Sequence, residues 1–445
     1  MDIQWIKDRL LKFKEREAVI DGETVGLYDD IIRQCDEWKK YFRVNRISQG
    51  EIIAVDGSFN VHYFALLLTL IENNNIVFPL FPGQLDKQKD VLSIGGVDKI
   101  IILEKENFRL VHREAERSNP LTRQLREQKQ PGLILFSSGS TGEPKGMLHN
   151  FKILLQKYRE EKKAGRTLLF LLLDHIGGIN TVFSILLNGG TLVITGSKQA
   201  EHICSLIEKH KIELLPTTPS FLNMLLLSEY HRKYDLSSLK LITYGTEVMQ
   251  EYILKELNRK LPGVRLRQTY GLSELGILKV KSESSESVWI KMEQDQYRFK
   301  IIDNVLHIKS DLAMLGYLNA DDPFTEDRWF NTRDKVVVKG DYFKILGRDS
   351  ELINIGGEKV YPAEIEDIII SMPEVRDVVV KGEKNPILGN MVTARVNIDN
   401  CDDLIQLKRK ITAFCSGKIK KQFIPARIEI VNEDLFNPRF KKVRK

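Results

Sequence analysis

Residues 135–146 read Leu135-Phe-Ser-Ser-Gly-Ser-Thr-Gly-Glu-Pro-Lys-Gly146. The apolar run Leu133-Ile-Leu-Phe136 leads into a loop of small hydroxyl residues and glycines that closes on Pro-Lys-Gly. Such a loop suits phosphate. Gly139 and Gly142 let backbone N–H groups close around an anion, the hydroxyls of Ser137, Ser138, Ser140 and Thr141 add donors, and Lys145 adds a positive charge. Pro144 stands where a Walker loop has the glycine before its lysine, so the loop is of another kind. The bland alternative, a flexible surface loop after a core strand, does not explain so many hydroxyls and glycines ending in Pro-Lys-Gly.

Outward from this loop, short apolar runs alternate with segments of helical periodicity: Ile52–Val55, Lys99–Leu103, Leu133–Phe136 and Thr191–Ile194. Continuous apolar strands predict sheets covered on both faces, hence an α/β fold. The chain has 445 residues, 42% of them hydrophobic and 29% charged, enough apolar material for a large core and two domains. The N-terminal MDIQWIKDRLLKFKERE reads as a surface helix rather than a signal peptide. The most apolar region, 168–194, is interrupted by Asp174, His175, Asn180, Asn188 and a glycine pair, so no membrane span is expected. Cys35, Cys204, Cys401 and Cys415 form no CxxC pair, which argues against a zinc ribbon or a disulfide framework and fits a reducing cytoplasm. The net charge of +6 is modest, and the basic end 440–445 reads as a solvated tail. There is neither a basic stripe with interleaved aromatics nor a recognisable module, so no nucleic-acid partner is expected.

Near Val336 the pattern changes to a hairpin that turns at Gly340-Asp341 and ends at Arg348, followed by a charged junction, Asp349-Ser-Glu351. The remainder reads as a small α+β unit of strand, helix (362–372), strand (375–381), strand (392–398), helix (403–415) and strand (427–431). Residues 1–347 are therefore expected to form a large, layered, multi-sheet domain and 352–445 a small one.

From Ser137 to Lys145 the loop resembles the signature loop of the adenylate-forming superfamily, which includes acyl- and aryl-CoA ligases, peptide-synthetase adenylation domains and luciferases. Other family motifs follow in order. Gln268-Thr-Tyr-Gly-Leu-Ser-Glu274 resembles the segment whose aromatic residue stacks near adenine, whose hydroxyl meets the α-phosphate and whose glutamate helps to hold magnesium. The resemblance gives those roles to Tyr270, Ser273 and Glu274, with Gly271 lining the nucleotide. This string also nearly matches a GxSxG nucleophile elbow, but Leu275 replaces the last glycine. Ile242-Thr-Tyr-Gly-Thr-Glu247 occupies the place of the adenine loop, which implies Tyr244, Gly245 and Thr246 around the base. Leu173-Asp-His-Ile-Gly-Gly-Ile179 resembles the wall of the acyl pocket, with His175 where CoA ligases often carry histidine. Trp329-Phe-Asn-Thr-Arg-Asp334 resembles the Thr-Gly-Asp motif whose aspartate takes the ribose hydroxyls, so Asp334 is implied there, with Arg333 replacing the usual glycine.

Gly347-Arg-Asp-Ser-Glu351 through Gly-Gly-Glu-Lys-Val-Tyr-Pro362 resembles the hinge and first elements of the family's mobile C-terminal domain. This implies Arg348 at the ribose or phosphates, a hinge across 348–351 near Ser350, and Gly356 and Gly357 along the pantetheine tunnel, in the CoA-ligase style. The end, Leu435-Phe-Asn-Pro-Arg-Phe-Lys-Lys-Val-Arg444, resembles the closing segment whose Ser-Gly-Lys brings a lysine to the carboxylate and α-phosphate. Lys441 matches best, Lys442 is its rival, and Arg439-Phe440 replaces Ser-Gly. The resemblance implies ATP, Mg²⁺ and CoA, a small carboxylic acid, and formation of an acyl-AMP followed by a thioester. Two alternatives stay open: loading of the phosphopantetheine arm of a carrier protein, which a basic tail would help to meet, and a catalytically impaired nucleotide-binding protein.

Overall fold

The structure, a computed structural model, describes residues 1–80, 82–83, 85–104, 107–113, 119–137, 143–293, 297–386, 389–398, 404–437 and 440–444. Ser138, Gly139, Ser140, Thr141 and Gly142 of the hydroxyl-rich loop therefore lie outside the described residues, as does Arg439. The chain divides into two compact units: 1–216 with 271–278 and 309–329, and 217–270 with 279–308 and 330–445.

In the first unit the apolar runs form the expected strands, Lys99–Leu103 buried throughout and the others buried except at their last residue. One sheet runs in the order Phe108–His112, Lys99–Leu103, Ile52–Gly57, Ile76–Pro79, Gly132–Phe136, Gly146–Asn150, Gly316–Tyr317, with the four central strands parallel and the outer pairings antiparallel. Leu214–Thr217, Arg166–Leu169, Thr191–Ile194 and Glu17–Asp21 are parallel neighbours in a second sheet, edged by antiparallel Thr24–Leu27. The helix Val61–Glu72 is apolar on all sides and is buried from Tyr63 to Ile71. Tyr28–Val44 is amphipathic instead and buries Tyr28, Ile31, Cys35, Trp38 and Phe42 along one stripe. The N-terminal helix Gln4–Leu11 inserts Ile6 and Leu10 into the same core, so its surface position still fixes it by one apolar face. Each such buried side chain contributes roughly 1.5–3 kcal/mol by removal from water. The apolar region 168–194 holds the eleven-residue helix Ile176–Leu186, and no helix among the described residues is long and apolar enough to cross a membrane.

In the second unit Leu241–Tyr244 pairs in parallel with Arg265–Gln268. A six-stranded sheet contains the expected hairpin, Phe330–Lys339 with Tyr342–Arg348, turning at Gly340. Gly356 and Gly357 are the two turn residues between Ile353–Ile355 and Glu358–Val360, at φ +59° and +91°. A two-residue turn with positive φ at both positions favours glycine strongly, so the pair has a structural reason to be Gly-Gly. The remaining order is as expected: helix Pro362–Ile369, strands Val375–Asn385 and Gly389–Ile398, helix Leu404–Cys415, strand Arg427–Val431. The first of these helices ends at Ile369 instead of Met372, before Pro373, which cannot continue a helix.

The helix Ile176–Leu186 begins hard against the chain that precedes it: a Cβ on Gly178 would lie 2.0 Å from the Leu172 carbonyl oxygen, whereas one on Gly196 meets nothing within 4 Å. Gly178→Ala is expected to lose about 3 kcal/mol of stability in urea denaturation and Gly196→Ala less than about 0.5 kcal/mol. Equal curves for the two variants would contradict this packing.

Candidate active site

The first unit brings the two ends of the hydroxyl-rich loop together. Ser137 N–H donates to the Lys145 carbonyl at 3.0 Å, and Lys145 N–H donates to Ser137 Oγ at 3.1 Å. Asn319 braces this neck: its Oδ1 accepts from Gly146 N–H at 2.9 Å and its amide donates to the Pro144 carbonyl at 3.0 Å. The Lys145 ammonium lies 5.1 Å from the centre of the Tyr317 ring, a cation–π distance, and the Tyr317 hydroxyl donates to Glu274 Oε1 at 2.7 Å. A cation and a carboxylate remote in sequence are thus linked through one aromatic side chain. Met314 N–H, donating at 2.8 Å to the Glu274 carbonyl, holds the motif from its other side.

Gly271 lets the backbone cross closely, since a Cβ there would lie 2.6 Å from the Gly276 carbonyl oxygen. Behind Ser273 stands His149, fully buried on Gly146–Asn150; its imidazole is pushed down to about 4 by burial, opposed by a contact with the Ser273 backbone that falls short of a full hydrogen bond. His175 caps its own helix, its Nδ1 accepting from Gly177 N–H at 3.0 Å, which leaves the ring proton on Nε2 when the ring is neutral. Lys157 ties that helix to the strand after Glu274. Its ammonium donates to Asn180 Oδ1 at 2.8 Å and to the Ile277 carbonyl at 2.7 Å.

In the second unit the Tyr270 hydroxyl donates to Asp334 Oδ2 at 2.7 Å, and Arg348, opposite Asp334 in the hairpin, sets its guanidinium 3.8 Å from Oδ1. Burial, then the charge of Asp334, raises the Tyr270 phenol well above its ordinary value, so it remains a donor. Thr332 Oγ1 accepts from Asp334 N–H at 3.1 Å. Arg333 lies between them at φ +60°, the left-handed conformation that the usual glycine adopts freely, so the turn survives the substitution at a cost of roughly 1 kcal/mol.

Tyr244 ends its strand with its hydroxyl buried and without a hydrogen-bond partner among the described residues, and Gln268 Oε1, its neighbour in register, is in the same state. Gly245 is pinned against Thr269, where a Cβ would meet Oγ1 at 2.5 Å, and Thr246 follows at φ +72°. These orphaned polar atoms fit a polar heterocycle better than an apolar ligand. Ser350 lies in the single turn Asp349–Glu351, exposed.

The basic end is not a solvated tail, the bland alternative to its resemblance to the closing segment. Lys442 has only 8% of its side chain exposed, and its ammonium lies 3.5 Å from Glu366 and 3.4 Å from Asp377. Arg444 lies 3.0 Å from Glu366 and 3.5 Å from Glu351. Lys442 N–H donates to Glu247, the last residue of the Ile242–Glu247 loop, which brings the Lys441 segment to that loop. Phe440 keeps a left-handed φ of +54° where the family pattern has glycine. A cavity of about 330 Å³ in this unit, bounded by Ser220, Asn223, Arg376, Asp377, Asn397 and Leu435, does not touch Tyr244, Tyr270 or Asp334. Sequence reasoning missed Tyr317, His149, Lys157 and Glu366, whose partners are distant along the chain.

The family model for AMP-binding enzymes matches residues 7–288, and that for the AMP-binding enzyme C-terminal domain matches 364–439. The chain is 30% identical over 292 residues to the indoleacetate–CoA ligase of Aromatoleum aromaticum, covering 60% of this chain and 57% of that protein. It is 22% identical over 462 residues to the 2-succinylbenzoate–CoA ligase of Enterococcus faecalis, covering 95% and 93%. The chain spans about half the length of several curated relatives it matches, 57% and 52% for two of them. Its fold superimposes on o-succinylbenzoate CoA synthetase from Bacillus subtilis, solved with an acyl-adenylate, at a TM-score of 0.78 and 19% identity, over 99% of this chain and 96% of that one.

Lys157 allows a test of the first unit. Burial, then the charge of Lys162, depresses its pKa from 10.5 to about 8. Between those values the unfolded state binds more protons than the native one, so native stability rises with pH across this window and is lost as pH falls through 8. Measured against a Lys157→Met variant, the unfolding free energy of the native chain should gain about 2 kcal/mol between about pH 8 and pH 10. A difference that does not change with pH would show that this ammonium is solvated.

Proposed function

This chain belongs to the AMP-binding enzyme family, and on that premise we propose that it activates a small carboxylic acid as its acyl-adenylate and transfers the acyl group to the thiol of CoA. The observation that carries the reading is the link from Lys145 through Tyr317 to Glu274 at the neck of the hydroxyl-rich loop. It sets a cation for phosphate oxygens beside a carboxylate for a divalent ion.

In the first half-reaction a carboxylate oxygen of the acid attacks the α-phosphorus of ATP, the bond to the bridging oxygen breaks, and pyrophosphate leaves. Lys145, with Ser137, Ser138, Ser140 and Thr141 and the backbone at Gly139 and Gly142, holds the phosphates. Ser273 donates to the α-phosphate. Tyr270 stacks near the adenine, and its hydroxyl aims Asp334, which accepts from the ribose hydroxyls with Arg348 alongside. Tyr244, Gly245 and Thr246 line the base, and Gly271 allows close backbone approach. Lys441 brings its ammonium to the attacking carboxylate, where it stabilises the charge that develops in transfer. Magnesium, when bound, would be held by Glu274 and neutralise phosphate charge. No group of three His, Cys, Asp or Glu is gathered for a metal among the described residues, which fits an ion that takes one or two carboxylates and fills its shell from phosphates and water. The Bacillus subtilis synthetase has also been solved with ATP and magnesium.

In the second half-reaction the CoA thiolate attacks the acyl carbonyl and AMP leaves. The turn at Gly356 and Gly357 lines the pantetheine path, His175 borders the acyl group, and residues 352–445 move about a hinge at 348–351 around Ser350. CoA is the favoured acceptor over a carrier protein, because Lys442 and Arg444 are engaged internally and do not form a free basic patch. Arg333 and Phe440 keep the backbone course of glycine, which supports an active enzyme. We place the chain in the reducing cytoplasm, consistent with the unpaired thiols of Cys35, Cys204 and Cys415.

Pyrophosphate release from ATP and Mg²⁺, measured over a panel of fatty, aromatic, hydroxy and amino acids with and without CoA, is expected to depend on one acid class and to yield a CoA thioester. Lys441→Ala should lower that release roughly 100-fold, and Asp334→Asn should raise the KM for ATP about tenfold. Release independent of any acid, or none with the whole panel, would remove the ligase reading.

A further inference from the structure

The closing segment is held by more interactions than a loop needs. Asn437 fixes the Lys441 backbone from one side: its N–H donates to the Lys441 carbonyl at 2.9 Å, and its Oδ1 accepts from Lys441 N–H at 3.1 Å. Phe440 N–H donates to the Asn437 carbonyl at 2.8 Å, and Val443 N–H to the Leu435 carbonyl at 3.0 Å, so a small antiparallel loop is formed. The Phe440 ring stacks on Phe436 with centroids 4.7 Å apart and meets Phe221 edge-on at 5.7 Å. Phe221 is fully buried on the helix Pro219–Ser228, so the ring is fixed to a rigid element.

On the other side, Lys442 donates to the Val378 carbonyl at 2.8 Å beside Glu366 and Asp377. Side chains alternate along extended backbone, so Lys442 and Arg444 both face Glu366, and Lys441 between Phe440 and Lys442 is turned the other way. Lys442, with 8% of its side chain exposed, is thus the internal cation, which leaves the catalytic part to Lys441.

We propose, resting on the role given to Lys441, that Lys442 and Phe440 are its positioning residues, a buried cation and a clamped ring that hold the Lys441 backbone where its ammonium serves the acid-activating step. A flexible Ser-Gly loop reaches that position by freedom of movement; here Phe440, left-handed like a glycine yet packed on two rings, reaches it by constraint. The buried ion pair also explains why Lys442 does not replace its neighbour: moving it would take from Asp377 its cation and leave Glu366 to Arg444 alone in a water-free site.

The test compares Lys442→Met, Lys442→Arg, Phe440→Gly and Lys441→Ala in acid-dependent ATP–pyrophosphate exchange, in thioester formation from supplied acyl-adenylate and CoA, and in amide hydrogen exchange of residues 436–443. Phe440→Gly is included because it leaves no buried charge unpaired and is expected to fold even where Lys442→Met does not. Lys442→Met and Phe440→Gly should lower the kcat of ATP–pyrophosphate exchange about tenfold with the KM for ATP nearly unchanged. They should also speed amide exchange in 436–443 about tenfold, leave thioester formation within roughly twofold, and be largely rescued at position 442 by arginine. Exchange intact in Lys442→Met but lost in Lys441→Ala overturns the positioning alone. Exchange intact in Lys441→Ala overturns the role of Lys441 and the positioning with it. Unaltered amide protection overturns the proposal whatever the activity, and so does an equal fall in both half-reactions, which marks a merely structural role.

Discussion

A carboxylate with almost none of its surface in water must be paired or lose its charge, and Glu366 is paired twice. Burial alone would raise its pKa, yet the cations of Arg444 and Lys442 hold it below the ordinary carboxylate value. Lys442 is governed by the same balance: burial opposes its charge, and Glu366 with Asp377 more than restores it. Loss of Lys442 would leave Asp377 without its cation in a dry site, where an unpaired charge costs several kcal/mol, and loss of Glu366 would take a partner from both Lys442 and Arg444. The course of the last residues follows from that constraint, including the contact of Lys442 N–H with Glu247.

The same logic runs through both units: each motif is fixed by a partner far away along the chain. Glu274 is held by Tyr317, Asp334 by Tyr270, and the neck of the hydroxyl-rich loop by Asn319. Each such bond contributes only about 1 kcal/mol, or more where a charge is involved. Their larger effect is orientational, because they leave few rotamers open to the carboxylates and cations that phosphate chemistry requires.

Backbone conformation is the second constraint. Thr246, Arg333 and Phe440 sit at left-handed φ values beside the proposed nucleotide and acid groups. For residues with a Cβ that conformation persists only where surrounding contacts over-determine it, as the Phe221 and Phe436 rings do for Phe440. Arg333 and Phe440 thus hold the left-handed backbone that glycine adopts without strain, while carrying side chains of their own.

Much of the fold was legible in the residues themselves. Apolar runs of four or five residues became the expected strands, the glycine at 340 turned the expected hairpin, and the elements from 362 on appeared in the expected order. These features depend on local propensity and on periodicity, which a single sequence carries. Tyr317, His149, Lys157 and Glu366 were not legible, since nothing in a lone tyrosine or glutamate announces a partner tens or hundreds of residues away. The basic end shows the division most plainly. Its composition reads as a solvated tail, and its period of two, Lys442 and Arg444 against Lys441 and Val443, is present in the sequence. Only the tertiary structure decides which face turns inward, because that choice rests on where Glu366, Asp377 and Glu247 are brought by folding, and the electrostatic cost of burying charge can be reckoned only once the partners' positions are set.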